Sequence, residues 1–321
     1  MRQDNVAARL PSSIFRPMLA TLIDAPFDDP AWVFETKWDG FRVVARVGCG
    51  VVTLRSRNGK DVTAAYPAIA AALTRIKHSA VIDGELVALD RQGRSRFQLL
   101  QEARKSGAQL RYCVFDLLYL DGRDLRRLPL VERKGKLHRI LPDTAIVRFS
   151  RHIKRYGIRA FQEAQRRGLE GVMAKRAAGW YYSGQRTREW LKIKTANQQE
   201  TVVVGFTRPR RTRKFFGALA LAVRQGKLWR YVGHTGTGFN AASLKAIHAR
   251  LSKLSPAPKP VSGKIPNERA TTWVRPRLVA EIKFTEWTRD GRMRHPVFLG
   301  LRTDKSASKV VRERPKRARH P

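Results

Sequence analysis

The sequence predicts an α+β protein of two domains: antiparallel sheets with flanking helices over residues 1–196, then a small β-barrel over 197–305. Three observations carry this expectation. The 321 residues suit two domains rather than one. Before residue 196, short apolar-alternating runs end at Gly pairs and are interspersed with a few helical patterns. Near 196–200 the character changes, and short strands then recur at roughly even spacing, separated by Gly, Pro and basic turns.

The elements follow in order. Residues up to Pro30 mix Pro and polar side chains and read as an extended lead-in. Residues 41–47 alternate as a strand ended by Gly48 and Gly50, and 51–54 return as the second strand of a hairpin. The Ala-rich stretch 64–73 and residues 97–105 read as helices. Residues 80–89 read as a strand pair broken at Asp83-Gly84. The apolar run 112–120 is a strand closed by Asp121-Gly122, and 161–167 is a helix ending at Gly168. Short strands follow at 171–175 and 190–194. In the second half, strands are expected at 201–206, 218–223, 228–232 and 279–285, with one helix at 241–251 and a Pro-rich connection over 255–266. Several short strands with one helix suggest a five-stranded barrel of the OB type. The tail, 306–321, is basic without apolar periodicity and is expected to be disordered.

Composition narrows the function. Lys and Arg number 65 against 26 Asp and Glu, a formal net charge of +39, so the partner is a polyanion, with nucleic acid first and an anionic membrane surface second. The basic residues are spread over folded-looking segments as well as the tail, which favours a broad phosphate-tracking surface. A hydrophobic content of 42% supports real cores. The two cysteines, Cys49 and Cys113, form neither a zinc spacing nor a disulfide framework, and a reducing, cytoplasmic setting fits. No apolar run suggests a membrane span or a signal peptide.

One hexapeptide points to chemistry. Lys37-Trp38-Asp39-Gly40-Phe41-Arg42 puts a lysine on a loop before a Gly turn and an Arg-bearing strand. Alone it reads equally as a charged hairpin turn or as a nucleophilic lysine. To attack phosphorus, such a lysine must be neutral, which burial or neighbouring cations favour. Trp190-Leu191-Lys192-Ile193-Lys194 places two lysines on one face of a strand between apolar residues, an arrangement suited to facing a phosphate chain.

These segments resemble, in order, the motifs of the covalent nucleotidyltransferases: ATP-dependent DNA ligases, RNA ligases and mRNA capping enzymes. Lys37 through Arg42 resembles the Lys-x-Asp-Gly-x-Arg motif, with Lys37 the residue that becomes lysyl-AMP. Arg57, in Arg55-Ser56-Arg57-Asn58-Gly59-Lys60-Asp61, matches an arginine that contacts phosphate or nucleic acid. Glu85, in Val81-Ile82-Asp83-Gly84-Glu85-Leu86-Val87, matches a carboxylate that holds ribose hydroxyls or a metal. Phe115 matches the ring that stacks on the purine. Glu170, in Glu170-Gly171-Val172-Met173-Ala174-Lys175, matches a metal-holding glutamate. Lys192 and Lys194 match the phosphate-facing lysines, and Arg188 just upstream shares that role. Arg294, Asp304 and Lys305, in the run 294–305, match a C-terminal motif that orients the departing pyrophosphate. Leu299 occupies a position where related sequences often carry Arg, and Arg302 is expected to compensate. By the same resemblance Glu35 and Arg42 join the ATP-binding set, and Asp39 and Gly40 support the nucleophile.

The resemblance covers roughly residues 17 to 305 and is nearest to the ligase domain of the multifunctional bacterial end-joining ligases. Stretches 205–209 and 230–239 share that group's pattern. It implies a DNA ligase using ATP and Mg2+ (or Mn2+) on nicked or broken duplex DNA, in repair or end joining. It also implies a Ku-type end-binding partner, a monomer, and a nucleoid-associated enzyme. The length suggests a stand-alone ligase without polymerase, phosphoesterase or helical-clamp domains. Two alternatives stay open: an RNA ligase or capping-type enzyme with the same chemistry, and a non-catalytic nucleic-acid-binding protein of the same fold. A basic tail acting as a DNA tether would make binding weaker and less salt-dependent when residues after Lys305 are removed.

Overall fold

The structure is a computed structural model that describes residues 10–106, 109–142, 144–209, 212–263 and 265–318. The chain forms two compact units, residues 1–195 with 315–321, and residues 196–314.

The first unit contains β1 (Leu19–Leu22), β2 (Asp29–Thr36), β3 (Phe41–Gly48), β4 (Val51–Ser56), α1 (Pro67–Leu73), β5 (Ala80–Leu89), α2 (Phe97–Ser106), β6 (Gln109–Leu120), β7 (Arg123–Asp124), α3 (Leu130–Ile140), β8 (Val147–Phe149), β9 (His152–Arg155), α4 (Gly157–Arg166), β10 (Gly171–Arg176) and β11 (Arg186–Lys194). They build two sheets, ordered β1-β11-β10-β2-β9 and β4-β3-β5-β6-β7, with β8 paired to β6.

The period-2 alternation of these strands sorts side chains between layers. In the second sheet, Val43, Ala45, Ile82, Leu86 and Tyr112 face outward onto Ile69 and Leu73 of α1, Leu100 of α2 and Leu137 of α3. In the first sheet, Phe34, Val172, Ala174, Leu191 and Ile193 face outward onto Ala164 of α4. Between the sheets lies a third apolar cluster of Ile14, Met18, Val44, Val81, Phe115, Leu118, Tyr181 and Trp190. The lead-in is therefore not a loose arm: Ile14 and Met18 are fully buried in this layer.

The expected break at Asp83-Gly84 is a shift of register against β6 rather than a strand end, and β5 continues as one strand of ten residues. Gly84 is there for space rather than for a turn, since a Cβ would lie 2.6 Å from the Tyr112 ring. The helix α3 was not legible in the sequence, because its apolar positions Leu130 and Leu137 are separated by a basic run.

The second unit contains β12 (Gln198–Thr207), β13 (Leu219–Gln225), β14 (Leu228–Thr235), α5 (Ala241–Leu251), β15 (Thr271–Trp273), β16 (Val279–Lys283) and β17 (Val297–Arg302). The sheet order is β14-β13-β12-β16-β17, with β15 on β12. A parallel bridge between Thr237 and Val297 joins its two edges, closing a five-stranded barrel of the OB type. Asn240 and Ser243 form a capping box that starts α5.

The tail differs from its expected disorder through residue 318. Val310 is 2% exposed within the barrel core, and its carbonyl accepts from Arg224 N at 2.7 Å. Farther along, Lys316 bridges Ile23, and Ala318 N donates to Asp24 Oδ1 at 2.9 Å. One buried valine and backbone hydrogen bonds to existing edges order this segment, and neither leaves a periodic signature. Deleting residues after Lys305 would thus remove core as well as charge. Residues 319–321 of the expected tail lie outside the described residues. Both cysteines are free thiols, and burial pushes that of Cys113 up to about 12. Among the described residues, no helix is long and apolar enough to cross a membrane.

Candidate active site

The inner faces of the two sheets in the first unit carry the polar residues. Across β2, β10 and β11 the register sets Glu35 opposite Met173 and Met173 opposite Lys192, with Gly171 opposite Lys194. Lys175 lies opposite Trp190 on the same face. From the other sheet Arg42, Asp83 and Glu85 project inward, Arg42 directly opposite Glu85.

Lys37 sits where β2 ends, its backbone N–H bonded to Gly171 O at 2.9 Å. Its ammonium forms an ion pair with the Glu170 carboxylate, the two side chains 17% and 9% exposed. Two residues quoted from distant motifs thus meet at one point. The loop that presents Lys37 is pinned at several places. Trp38 Nε1 donates to Ser150 Oγ at 3.0 Å. Asp39 N donates to Ser95 Oγ at 3.0 Å, and Asp39 Oδ2 accepts from Phe97 N at 3.1 Å, capping the first turn of α2. Gly40 must be glycine because a Cβ would lie 2.2 Å from Leu86 O. Asp39→Ala removes the cap and is expected to cost about 1 kcal/mol of stability. Urea unfolding would measure it, and an unchanged midpoint would show that the cap contributes nothing.

Arg42 does not serve as a spare cation beside Lys37. Its guanidinium is bidentate to the buried Asp83 carboxylate at 2.5 and 2.6 Å. Burial alone would make the guanidinium easier to deprotonate, but Asp83 outweighs this and fixes the charge. Arg42 also lies over the Phe115 ring at 4.6 Å and the Trp190 ring at 5.2 Å. Lys175 Nζ is 4.1 Å from the Phe115 centroid. With 6% of its surface exposed, Phe115 offers no open face, and a purine could stack there only by displacing one of these cations.

A three-residue ion cluster is buried beside these residues. The carboxylate of Glu35, 4% exposed, accepts from Lys134 Nζ at 2.8 Å and from Lys175 Nζ at 3.0 Å. Lys134 also donates to Ser150 O at 3.0 Å. Burial would push the Glu35 carboxyl up, but the two ammonium groups hold it below the ordinary range. Burial pushes Lys175 down to about 8, against the pull of Glu35 and assisted by Lys134. No motif or periodicity pointed to Lys134, which lies on the unforeseen α3. Lys175 could have been found by applying the period of two to β10, the rule that exposed Lys192 and Lys194.

Lys175 makes a prediction about pH. Its folded value of about 8 lies below the ordinary 10.5, so between these pH values the unfolded chain binds a proton that the folded chain does not. Stability from this group therefore rises with pH across that window and is flat outside it. The difference in unfolding free energy between wild type and Lys175→Met should slope upward from pH 8 to 10.5; a flat difference would refute it.

Other expected positions are placed as follows. Arg57 is half-buried, its N–H donating to Arg42 O at 3.1 Å. Glu85 is half-buried on the inner face of β5. Arg188 is exposed on β11, and Lys192 and Lys194 are half-buried two and four residues beyond the buried Trp190. Arg294, Asp304 and Lys305 belong to the second unit. There Arg294 pairs with Glu286 at 2.6 Å, and Lys305 with Glu200 at 2.5 Å. Asp304 receives both arms of Arg302, at 2.9 and 2.8 Å. Arg302 also faces Glu281 at 3.5 Å and is 13% exposed, so it is committed to the barrel and cannot stand in for a cation missing at Leu299.

Among the described residues no three acidic, His or Cys side chains cluster as a metal site. The donor set still fits a magnesium-like ion, which needs only one or two carboxylates with substrate phosphates and water completing the shell. The carboxylates that the motif resemblance assigns to such an ion are Glu170, here paired with Lys37, and Glu85.

Comparison with known proteins identifies the family. The family model described as ATP dependent DNA ligase domain matches residues 17–194, and that described as ATP dependent DNA ligase C terminal region matches 212–305. The multifunctional non-homologous end joining protein LigD of Pseudomonas aeruginosa is 39% identical over 310 residues, covering 93% of this chain and 36% of that protein. Its namesake in Mycolicibacterium smegmatis is 37% identical over 306 residues, covering 93% and 40%. The chain thus spans well under half the length of these relatives. Among solved structures, a mycobacterial DNA ligase D complexed with ATP and MES has a TM-score of 0.74 at 34% identity, covering 94% of this chain and 100% of that one. The ligase domain of M. tuberculosis LigD has a TM-score of 0.54 at 35% identity, covering 94% and 99%. The motif-matched lysine, its glutamate partner and both family models converge: the chain belongs to the ATP-dependent DNA ligases.

Proposed function

We propose that this chain joins 5′-phosphate and 3′-hydroxyl ends of nicked or broken duplex DNA through a lysyl-AMP on Lys37. The observation that carries the reading is the Lys37–Glu170 pair beside the inward-facing lysines of β11. Lys37 attacks the α-phosphate of ATP and pyrophosphate leaves. The AMP passes to the DNA 5′ phosphate, the 3′ hydroxyl attacks that phosphate, and AMP departs. Each step shifts charge onto phosphate oxygens as the attacking amine or hydroxyl loses its proton, so positioning and electrostatics do most of the work.

The side chains fit these needs. For Lys37 to become a nucleophile, Glu170 must release it, and the ammonium must give up its proton. Lys192 and Lys194 present cations to the phosphates, with Arg188 at the rim. Glu85 suits the ribose hydroxyls. Glu35 and Arg57 complete the nucleotide and strand contacts. Arg294, Asp304 and Lys305 take the pyrophosphate-orienting role on the strength of their motif. A Mg2+ or Mn2+ held by Glu170 and Glu85 would neutralise phosphate charge as it shifts.

End joining is the cellular setting suggested by the names of the relatives, and we propose a Ku-type end-binding protein as the partner. We also propose that the enzyme acts as a monomer at the nucleoid. The test is sealing of a 5′-labelled nicked duplex with ATP and magnesium. Sealed product with a labelled-AMP adduct on the protein supports the reading. Neither product nor adduct overturns it, and an adduct without sealing would redirect the search to RNA ends.

A further inference from the structure

Between β10 and β11 the chain passes through Gly179, Trp180, Tyr181 and Tyr182 without regular secondary structure. Tyr181 points inward: it is 4% exposed, and its hydroxyl donates to Asp83 Oδ2 at 2.5 Å and accepts from Met18 N at 3.0 Å. Trp180 lies at the surface beside Tyr182, which is half-buried and packs partly against the apolar cluster between the sheets. Their ring centroids lie 6.4 Å apart with 31° between the planes. That separation is near the far limit of about 4.5–7 Å for an aromatic pair, so the rings do little for each other. Trp180 remains 48% exposed, a large aromatic surface left to water.

Beside these rings opens a hollow of about 320 Å³, lined by Asp124, Arg126, Arg127 and the three aromatics. This is within the roughly 300–1,000 Å³ of small-ligand clefts. Arg126 is fixed rather than adaptable, bonded to both oxygens of Asp124 and, at 3.0 Å, to Ser183 Oγ. That pairing neutralises the only carboxylate of the lining and leaves the exposed Arg127 to set the sign. The hollow thus combines flat π surface, a cation at the rim and a rigid floor. Bases stack on such rings regardless of identity, and a phosphate pairs with such a cation.

We propose that this hollow holds an unpaired nucleotide of the DNA, its base on Trp180 and Tyr182 and its phosphate at Arg127. The enzyme would then grip single-stranded overhangs or flaps of the ends it joins. The inference rests on the DNA-joining reading above.

The test uses the full chain and two labelled duplexes, one blunt and one carrying a short overhang with 2-aminopurine. Wild type should bind the overhang duplex about tenfold more tightly and change the 2-aminopurine fluorescence by stacking. Trp180→Ala should lose both effects while leaving blunt-duplex affinity and the labelled-AMP adduct unchanged, and Trp180→Phe should recover part of the preference. Arg127→Ala should lower the salt slope for the overhang duplex by about one. A wild type without preference, or a Trp180→Ala protein that keeps it, overturns the proposal. So does free dAMP competing as well as the overhang, which would indicate a mononucleotide site. Loss of the AMP adduct in wild type would instead condemn the ligase reading.

Discussion

Replacing Lys37 with alanine is expected to abolish both the labelled-AMP adduct and sealing from ATP, a loss of at least about 10⁴-fold. Lys37→Arg should be equally inactive, since a guanidinium keeps the charge but has no free electron pair to attack phosphorus. Neither variant should unfold the protein, because the ammonium is near the surface of the cleft and is 17% exposed. Wild type and Lys37→Ala should also differ step by step. A DNA strand already adenylated at its 5′ phosphate bypasses the lysine, so the variant should still seal it at a measurable rate. An adduct that persists on Lys37→Ala and maps to another lysine would place the nucleophile elsewhere.

The motifs were legible because this chemistry fixes residue types at short spacings on single strands and loops. Lys37 and Glu170 are 133 positions apart, and ordered similarity to known motifs implied their meeting. Spacing alone could not have done so. The barrel was legible for a different reason: its strands are amphipathic and separated by strong turn signals. What escaped detection was stabilised by tertiary contacts. Asp83 read as part of a turn, yet it is the buried partner of both Arg42 and Tyr181. Arg302 read as an available cation and is bound to Asp304. Basic residues are so frequent here that sequence alone does not separate buried, paired cations from those exposed to a polyanion.

The sharpest case is Lys134, whose loss should have a large effect on stability. Lys134 and Glu35 are each 1% exposed at the side chain, so water cannot replace either partner. Lys134→Met leaves Glu35 with Lys175 alone, one ammonium where the folded protein holds two. Breaking a buried ion pair on one side costs about 3–5 kcal/mol, and the remaining lysine should hold the loss near 3 kcal/mol. Urea unfolding would report it as a lower midpoint at unchanged slope. Glu35→Gln should also destabilise, since it leaves two buried ammonium groups facing a neutral amide. The double variant should then lose less than the two single losses combined, because each change removes the charge that the other strands. Strict additivity would show that the cluster is not energetically coupled. Activity should follow: Glu35 is two residues before Lys37 on the same chain, so a Glu35 that shifts on losing Lys134 carries the nucleophile with it. Adduct formation should fall in Lys134→Met even under conditions where the protein remains fully folded.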